Sequence, residues 1–156
     1  MDDQLIRFLI ESKEKGYASQ DESFWKKEKD ESTSIEFESG DWSFHDNYFG
    51  GEPYGGRQVV FYRGKPIWMN VYYGQVDKEV QNLKEIYAFL KKALLFPREK
   101  FPLRGKDNFT EGDYKYRSSL KGNISNFTVQ EKIYYRGRKI YGAVFYGGYV
   151  DRRKEN

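Results

Sequence analysis

The stretch FYRGKPIWMNVYYG, residues 61–74, decides the predicted fold, because it recurs further along the chain as YYRGRKIYGAVFYG, residues 134–147. Each copy places Arg-Gly between two runs of β-branched and aromatic residues, which is typical of a tight hairpin. In the second run of the first copy, Trp68, Asn70 and Tyr72 alternate with other side chains. These three residues are therefore predicted to share one face of a strand.

A second pair of matching segments lies upstream of these hairpins. SGDWSFHDNYFG (39–50) matches EGDYKYRSSLKG (111–122) in its Gly-Asp dipeptide and its closing glycine. Chance similarity between common residues does not keep the same order and nearly the same spacing over such a length. The matches therefore predict an internal duplication, with repeats at about 3–77 and 79–151.

Helical periodicity precedes the strands of each repeat. Asp77 is suited to cap a helix, and apolar residues follow it at spacings of three and four: Val80, Leu83, Tyr87, Leu90 and Leu94. The first helix is predicted at about 3–15, with these residues facing inward: Leu5, Ile6, Leu9 and Ile10. The sequence thus predicts an α+β fold, in which a helix-strand-strand-strand unit is used twice and two helices pack on an antiparallel sheet. We expect a single domain over 1–156, with a charged loop at 17–33.

The composition excludes several kinds of chemistry. The 156 residues include no cysteine and one histidine, so disulfides, thiol nucleophiles and paired-histidine metal motifs are ruled out. No apolar run is long enough to cross a bilayer, and the N-terminus lacks the basic and small-residue features of a signal peptide. From these features we expect a soluble, unprocessed, cytoplasmic protein that does not bind membranes.

Charge is unevenly distributed along the chain. Residues 1–78 contain 10 Lys and Arg against 15 Asp and Glu, whereas residues 79–156 contain 17 against 9. The basic second half is able to attract anions, nucleic acid included. A solvated surface without a partner is the alternative, and it is the more common case for charged residues.

Four motifs together resemble a known family: GDWSFHDNYFGG (40–51), KPIWMNVYYG (65–74), PLRG (102–105) and YGG (146–148). The chain resembles an uncharacterised bacterial domain of unknown function, which occurs alone or fused behind a helix-turn-helix of the Cro/C1 type. The resemblance implies a bacterial or phage origin, relatives that regulate transcription, and a sensor role for the domain. It brings no catalytic residues. We expect no helix-turn-helix here, because few residues precede the first helix.

The candidate ligand-binding residues are mostly aromatic: Trp42, Tyr48, Trp68, Asn70, Tyr72 and Arg104. Tyrosine and tryptophan rings stack on planar ligands and carry a polar group that needs a partner. Arg104, beside Gly105, offers a bidentate fork to a phosphate or carboxylate. Two interpretations stay open, a tyrosine-rich core and an aromatic-lined cleft. Asn70 either points into such a cleft or binds the local backbone, and Arg104 either contacts a ligand or forms a loop ion pair.

The remaining polar residues give no catalytic assignment. His45 has no partner nucleophile in a recognisable motif, and Asp41 and Asp113 are more typical of carboxylates that bind their own turns than of a shared cation site. We therefore expect no metal, no cofactor and no catalytic residues. The favoured function is a non-enzymatic small-molecule-binding or sensor domain, for which an anionic ligand is one option. The alternative is a nucleic-acid or protein interaction module that uses the basic second half. The oligomeric state is left open.

Overall fold

The computed structural model describes residues 1–17 and 24–153. In this part of the chain the elements are α1 (Asp2–Ser12), β1 (Trp25–Lys27), β2 (Thr33–Ser39), β3 (Trp42–Phe49), β4 (Tyr54–Tyr62), β5 (Lys65–Val76), α2 (Leu83–Leu94), β6 (Pro97–Arg98), β7 (Phe101–Gly105), β8 (Asn108–Glu111), β9 (Tyr114–Asn123), β10 (Asn126–Tyr135) and β11 (Arg138–Tyr149). A π-helical turn, Lys13–Tyr17, continues α1. No helix in the described residues is long and apolar enough to cross a membrane.

Nine of the strands form one antiparallel sheet, in the order β1-β2-β3-β4-β5-β11-β10-β9-β8. The two predicted hairpins are confirmed: Arg63-Gly64 joins β4 to β5, and Arg136-Gly137 joins β10 to β11. All four turn residues have positive φ, between 48° and 82°, which is the geometry of the two-residue turn that matches strand twist. β5 and β11 pair at the centre of the sheet.

The predicted α+β fold, built from a duplicated helix-strand-strand-strand unit, is wrong. Strands account for 57% of the structure and helices for 19%, and the helical unit does not repeat: five strands follow α1, whereas six follow α2. The strands that the prediction missed are short or lie towards the edges of the sheet: β1, β2, β6, β7 and β8. Edge strands expose polar side chains and tolerate proline, as at Pro102, so their sequences look like loops.

The helices also differ from their predicted bounds and faces. α2 begins at Leu83, because Asp77 and Val80 form a separate turn in which the Val80 amide donates to the Asp77 carbonyl oxygen. Its buried face consists of Ile86, Phe89, Leu90 and Ala93; the prediction placed Leu90 at the centre of the apolar face, expected Ile86 and Phe89 to widen it, and missed Ala93. α1 ends at Ser12 and buries Leu5, Phe8, Leu9 and Ser12. The π-helical turn after Ser12 therefore begins with Lys13, whose side chain lies close to the sheet.

The sheet has two unlike faces. Both helices and the β6–β7 hairpin lie over one face, here called the inner face, and contribute to a single core with Trp68, Phe127 and Tyr141. On the opposite, outer face the central residues Val71, Tyr73, Val144 and Tyr146 are exposed, whereas Ser34 and Val59 are buried. Burial alternates accordingly along each long strand. Of the predicted charged loop at 17–33, residues 18–23 lie outside the described part, and Trp25–Lys27 forms the edge strand β1.

Candidate functional site

A small cavity lies on the inner face between α1, β7 and the middle of the sheet. Its volume is about 70 Å³. Polar groups enter it from three elements: Ser12 and Lys13 from α1 and the turn after it, Gln58 from β4, and Arg104 from β7. The remaining lining is apolar: Leu9, Phe44, Leu94, Pro102, Leu103 and Phe145. The cavity is thus an apolar chamber in which a few polar groups converge, as in many ligand sites.

Arg104 is held at the cavity by an ion pair with a buried carboxylate. Its Nε donates to Glu131 Oε2 at 3.0 Å, and its Nη2 donates to Oε1. Glu131 is fully buried, whereas 14% of the Arg104 side chain stays exposed. Burial opposes the charge on Arg104, but the Glu131 charge and hydrogen bonds outweigh it and raise the pKa of Arg104 well above its usual value. Arg104 therefore stays charged.

Two tyrosines complete the coordination of Glu131. The hydroxyl of Tyr116 donates to Oε2 at 2.7 Å and that of Tyr141 donates to Oε1 at 2.9 Å. Burial and the Glu131 charge raise the pKa of both tyrosines, so they remain donors. The carboxylate accepts four hydrogen bonds, which is the condition under which a buried ion pair is tolerated.

Lys13 supplies a second cation to the cavity. Its Nζ donates to the carbonyl oxygen of Leu94 at 2.7 Å, at the C-terminus of α2. Burial, together with the nearby Arg104 charge, lowers the pKa of Lys13. No described carboxylate forms an ion pair with it within 4.0 Å. Lys13 thus hydrogen-bonds to a carbonyl oxygen, and the nearby Glu14 charge opposes the lowering of its pKa.

A buried polar row crosses the sheet beside the cavity. Asp46 is 1% exposed, and it accepts hydrogen bonds from the Tyr72 hydroxyl at 2.6 Å and from Gln58 Nε2 at 3.0 Å. Asn70 Nδ2 in turn donates to Gln58 Oε1 at 3.0 Å. Burial raises the pKa of Asp46, against the effect of its hydrogen bonds. Asp46 therefore has a stronger preference for its neutral form than an ordinary aspartate has.

One acceptor in this row has no partner in the described structure. Asn70 is 1% exposed, and its Oδ1 accepts no hydrogen bond from any described residue. A buried carbonyl oxygen without a donor is costly by about 1–3 kcal/mol. Its neighbour Gln58 lines the cavity, so this unsatisfied acceptor lies one side chain away from the chamber.

A stack of rings links the ion pair to the polar row. The guanidinium carbon of Arg104 lies 4.3 Å from the ring centroid of Phe145, and Phe145 stacks on Tyr72 with centroids 5.5 Å apart. Phe145 is a wall of the cavity. Tyr72 and Arg104 are thus held on opposite sides of one cavity residue.

Of the six predicted ligand-binding residues, Arg104 alone lines the cavity, whereas Asn70 and Tyr72 contact the cavity residues Gln58 and Phe145. Trp68 is fully buried in the core, where its indole donates to the Ile124 carbonyl oxygen at 2.8 Å and stacks on Phe127. Trp42 packs on Phe8 near α1. Tyr48 meets the edge strand, edge-on to Trp25. None of these three residues lines the cavity, and the aromatic richness around Trp68 is core packing.

Sequence reasoning missed four residues of the site: Lys13, Asp46, Gln58 and Glu131. Glu131 and Asp46 carried a usable signal, because each is an acidic residue at an inward-facing position of a strand. Lys13 carried none, since a lysine in the last turn of a helix normally projects into water. Asp41 and Asp113 were considered for a shared cation site. Each instead accepts a hydrogen bond from the Nε of an arginine in a hairpin turn, at 2.9 and 3.0 Å.

The chemistry available in the cavity is that of binding. Within residues 1–17 and 24–153, no three His, Asp or Glu side chains are grouped so that they could hold a metal ion. The polar groups present are a lysine, an arginine with its counterion, a hydroxyl and an amide. They provide one positive charge and several donors, which suits recognition of an anion.

Comparison with known proteins adds a family to this description. No curated protein and no solved structure matches the chain. A family model described as a domain of unknown function (DUF5680) matches residues 46–150. The match contains Asp46, Arg104 and Glu131, whereas α1 and Lys13 lie outside it. The matched span covers well over half of the sequence, and the chain therefore belongs to the DUF5680 family of domains of unknown function.

Proposed function

We propose that the chain is a non-enzymatic binding domain that takes a small organic anion into the inner-face cavity. The observation that carries the proposal is the convergence of Lys13 and Arg104 on one apolar chamber, with Glu131 as the counterion of Arg104 alone. Since Glu131 neutralises Arg104, the charge that an anion in the cavity would stabilise is that of Lys13. The arrangement is therefore explained by a ligand that bears a negative charge.

The charge balance favours a ligand with a single negative charge. Arg104 and Glu131 cancel each other, and burial raises the pKa of Asp46 above its ordinary value. Lys13 remains as one uncompensated positive charge at the chamber. A monoanion neutralises it, whereas a dianion leaves excess charge in an apolar site, which is costly.

The size and lining of the cavity favour a short carboxylate. A volume of about 70 Å³ corresponds to roughly two or three water molecules at ~30 Å³ each, and so to a few heavy atoms. Phe44, Leu94 and Phe145 offer apolar contact to a short hydrocarbon tail, while Lys13 and the Gln58 amide bind the head. Inorganic phosphate has no tail to fill these contacts.

A sensor role follows from where such a ligand contacts the protein. Lys13 belongs to the turn after α1, and its other contact is the end of α2. An anion at Lys13 thus strengthens the connection between both helices and β7. We extend the proposal to a role as a bacterial or phage cytoplasmic regulator. In this proposal, relatives carry the domain behind a helix-turn-helix, and ligand binding changes the helical side of the sheet.

Isothermal titration calorimetry with unbranched monocarboxylates from formate to hexanoate tests the proposal. We expect binding that passes through an optimum at a few carbon atoms and is absent for the matching neutral amides. Lys13→Met, which keeps the length of the side chain, is expected to weaken carboxylate binding about ten-fold or more, since a charge-assisted bond is lost. Lys91→Met is the matched control, because Lys91 is exposed on α2.

Two results contradict the proposal. One is the absence of heat for the whole series at millimolar concentration, combined with a native mass spectrum of freshly purified protein that contains no retained small molecule. The other is carboxylate binding that Lys13→Met and Lys91→Met weaken equally, which indicates surface charge rather than the cavity. Thermal melts of both variants verify that the fold is kept.

A further inference from the structure

The outer face of the sheet presents two exposed tyrosines at its centre. Tyr73 of β5 is 56% exposed and Tyr146 of β11 is 57% exposed. The register pairs Tyr73 with Val144 and Tyr146 with Val71, so the two tyrosines are diagonal neighbours, which are typically about 7–8 Å apart with Cβ atoms somewhat closer. A nucleobase is about 3.4 Å thick in a stack. The spacing therefore leaves room for one base between the rings.

A basic strand runs beside this tyrosine pair. Lys115, Arg117 and Lys121 occupy alternate positions of β9, opposite in direction to the buried Tyr116 and Ser118, and thus lie on the outer face. No described residue forms an ion pair with any of the three. Since β9 is two strands from β11 and three strands from β5, the basic row lies about 10 Å from Tyr146 and about 14 Å from Tyr73.

The register aligns each tyrosine with this basic strand. One row across the outer face runs from Lys121 through Thr128 to Tyr146, and the next runs from Ser119 through Gln130 and Val144 to Tyr73. A flexible strand that lays successive bases on the tyrosines therefore has its phosphates within reach of β9. Two acidic residues of the outer face, Glu36 and Glu38, lie on β2, at the opposite side of the sheet.

An open groove adjoins Tyr73 on the outer face, on the side away from Tyr146. It has a volume of about 670 Å³, and its walls include Tyr73, Val144, Lys132 and Lys139, with Gly142 between them. Asp77 closes one end and is paired with Arg138 at 3.0 Å. This volume is in the range of small-molecule sites, about 300–1,000 Å³, and so is large enough for a nucleotide unit.

We propose that the outer face binds single-stranded nucleic acid, with bases stacked on Tyr73 and Tyr146 and phosphates along β9. Exposed rings on a sheet accept any unpaired base, because every base has a π-face. A duplex hides those faces and offers the rings nothing to stack on. DNA and RNA single strands share this chemistry. The inner-face cavity lies on the other side of the sheet, so this proposal and the anion-binding proposal fail separately.

Fluorescence anisotropy with a labelled mixed-sequence 12-nucleotide strand tests the inference, in one DNA arm and one RNA arm, with a 12-base-pair duplex of the same sequence as reference. We expect at least one single strand to bind about ten-fold or more tightly than the duplex. Tyr73→Ala/Tyr146→Ala is expected to weaken single-strand binding about ten-fold or more, since each stacked base contributes substantially. Both rings are more than half exposed, so the fold should survive, and circular dichroism checks this.

The charged variants give a second, quantitative readout. Arg117→Gln/Lys121→Gln is expected to lower the slope of log K against log salt by about 1.4, because each lost phosphate contact removes about 0.7 for single strands. Lys84→Gln/Lys91→Gln on α2 removes the same charge from the helical side and should leave the slope unchanged.

Three outcomes overturn the inference. One is no binding of either strand at low salt, and another is equal binding of duplex and single strand. The third is that Tyr73→Ala/Tyr146→Ala leaves affinity unchanged but converts a dimer into a monomer in sedimentation. In that case a second copy of the chain, rather than nucleic acid, covers the outer face.

Discussion

Two buried carboxyl groups on the same face of the sheet are accommodated in different ways. Glu131 on β10 faces a guanidinium and two phenol hydroxyls, whereas Asp46 on β3 is held by the neutral donors of Tyr72 and Gln58. Desolvation disfavours the charged form in both places, but only Glu131 has a cation as a hydrogen-bond partner. Glu131 is thus part of an ion pair, while Asp46 shifts towards its neutral form.

The comparison bears on the proposed anion site, because the inner-face cavity lies between these two groups. The ion pair fixes Arg104 in one position, and the polar row beside it holds Gln58 at the cavity. Burial raises the pKa of Asp46 in that row and so weakens its opposition to an entering anion.

The largest expected effect is on the ion pair itself. Glu131→Gln leaves the buried Arg104 charge without its counterion, and we expect it to lower the free energy of unfolding by about 3–5 kcal/mol. Urea melts measure this loss. Arg104→Met/Glu131→Gln removes both charges and should recover part of it. Glu111→Gln, which breaks a half-exposed ion pair with Lys92, is the control. Equal stability of Glu131→Gln and the wild type would show that the pair is not needed.

Sequence patterns predicted the hairpins and the inward faces of the long strands, because these depend on neighbours along the chain. The Arg-Gly turns need φ > 0 at adjacent positions, and alternation places Asn70 and Tyr72 on one side. The helix-strand-strand-strand unit failed because the signal of short edge strands such as β2 is weak and Asp77 does not cap α2. Similar hairpins do not require similar surroundings.

The cavity was not predictable from the sequence, because its polar groups come from distant parts of the chain. Lys13, Gln58 and Arg104 meet only after β7 folds across the sheet. A lysine at the end of an amphipathic helix normally projects into water. Trp68 misled the prediction because it was expected at a ligand site and lies in the core. A tryptophan whose indole N–H has a hydrogen-bond partner is a good core residue.

The second-largest expected effect is the loss of one tyrosine hydroxyl beside each of the two carboxyl groups. Tyr116→Phe removes a donor to ionised Glu131 and should lower the free energy of unfolding by about 1.5–3 kcal/mol, as for hydrogen bonds to charged groups. Tyr72→Phe removes a donor to Asp46 and should cost about 0.5–1.5 kcal/mol while Asp46 is neutral. Urea melts at pH 4 measure both. A larger loss for Tyr72→Phe would reverse the assignment of charge.

The third effect is the pH dependence that Asp46 gives to stability. Its folded-state pKa is raised above the ordinary value of 3.8, so below that pH both states are protonated. As pH rises, the unfolded state loses the proton first, and the folded state loses stability until the folded pKa is passed. Asp46→Asn has no such proton. We expect the stability of this variant relative to wild type to increase between pH 4 and pH 7 in urea melts. A relative stability that falls with pH over this range would contradict the raised pKa.

The smallest effect compares the two hairpins, whose ion pairs are nearly identical. Arg63 Nε donates to Asp41 Oδ2 at 2.9 Å and Arg136 Nε donates to Asp113 Oδ2 at 3.0 Å, with 70% of each arginine side chain exposed. Exposed pairs contribute little and are screened by salt. We expect Asp41→Asn and Asp113→Asn each to change the melting temperature by at most about 2 °C, with a difference that vanishes at 1 M salt.

Comparing Asp41→Asn with Asp113→Asn shows more than either variant alone, because it tests whether a hairpin turn is coupled to the carboxyl group buried behind it. The turns match in φ and in the length of the ion pair, but β4–β5 leads into the neutral Asp46 row and β10–β11 into the Glu131 ion pair. Equal small shifts mean that each hairpin turn acts locally, independently of the carboxyl group buried behind it. A clearly larger shift for Asp113→Asn means that the turn and the Glu131 ion pair are coupled through β10. Asp113→Asn/Glu131→Gln measures that coupling directly, since independent sites give additive changes in stability.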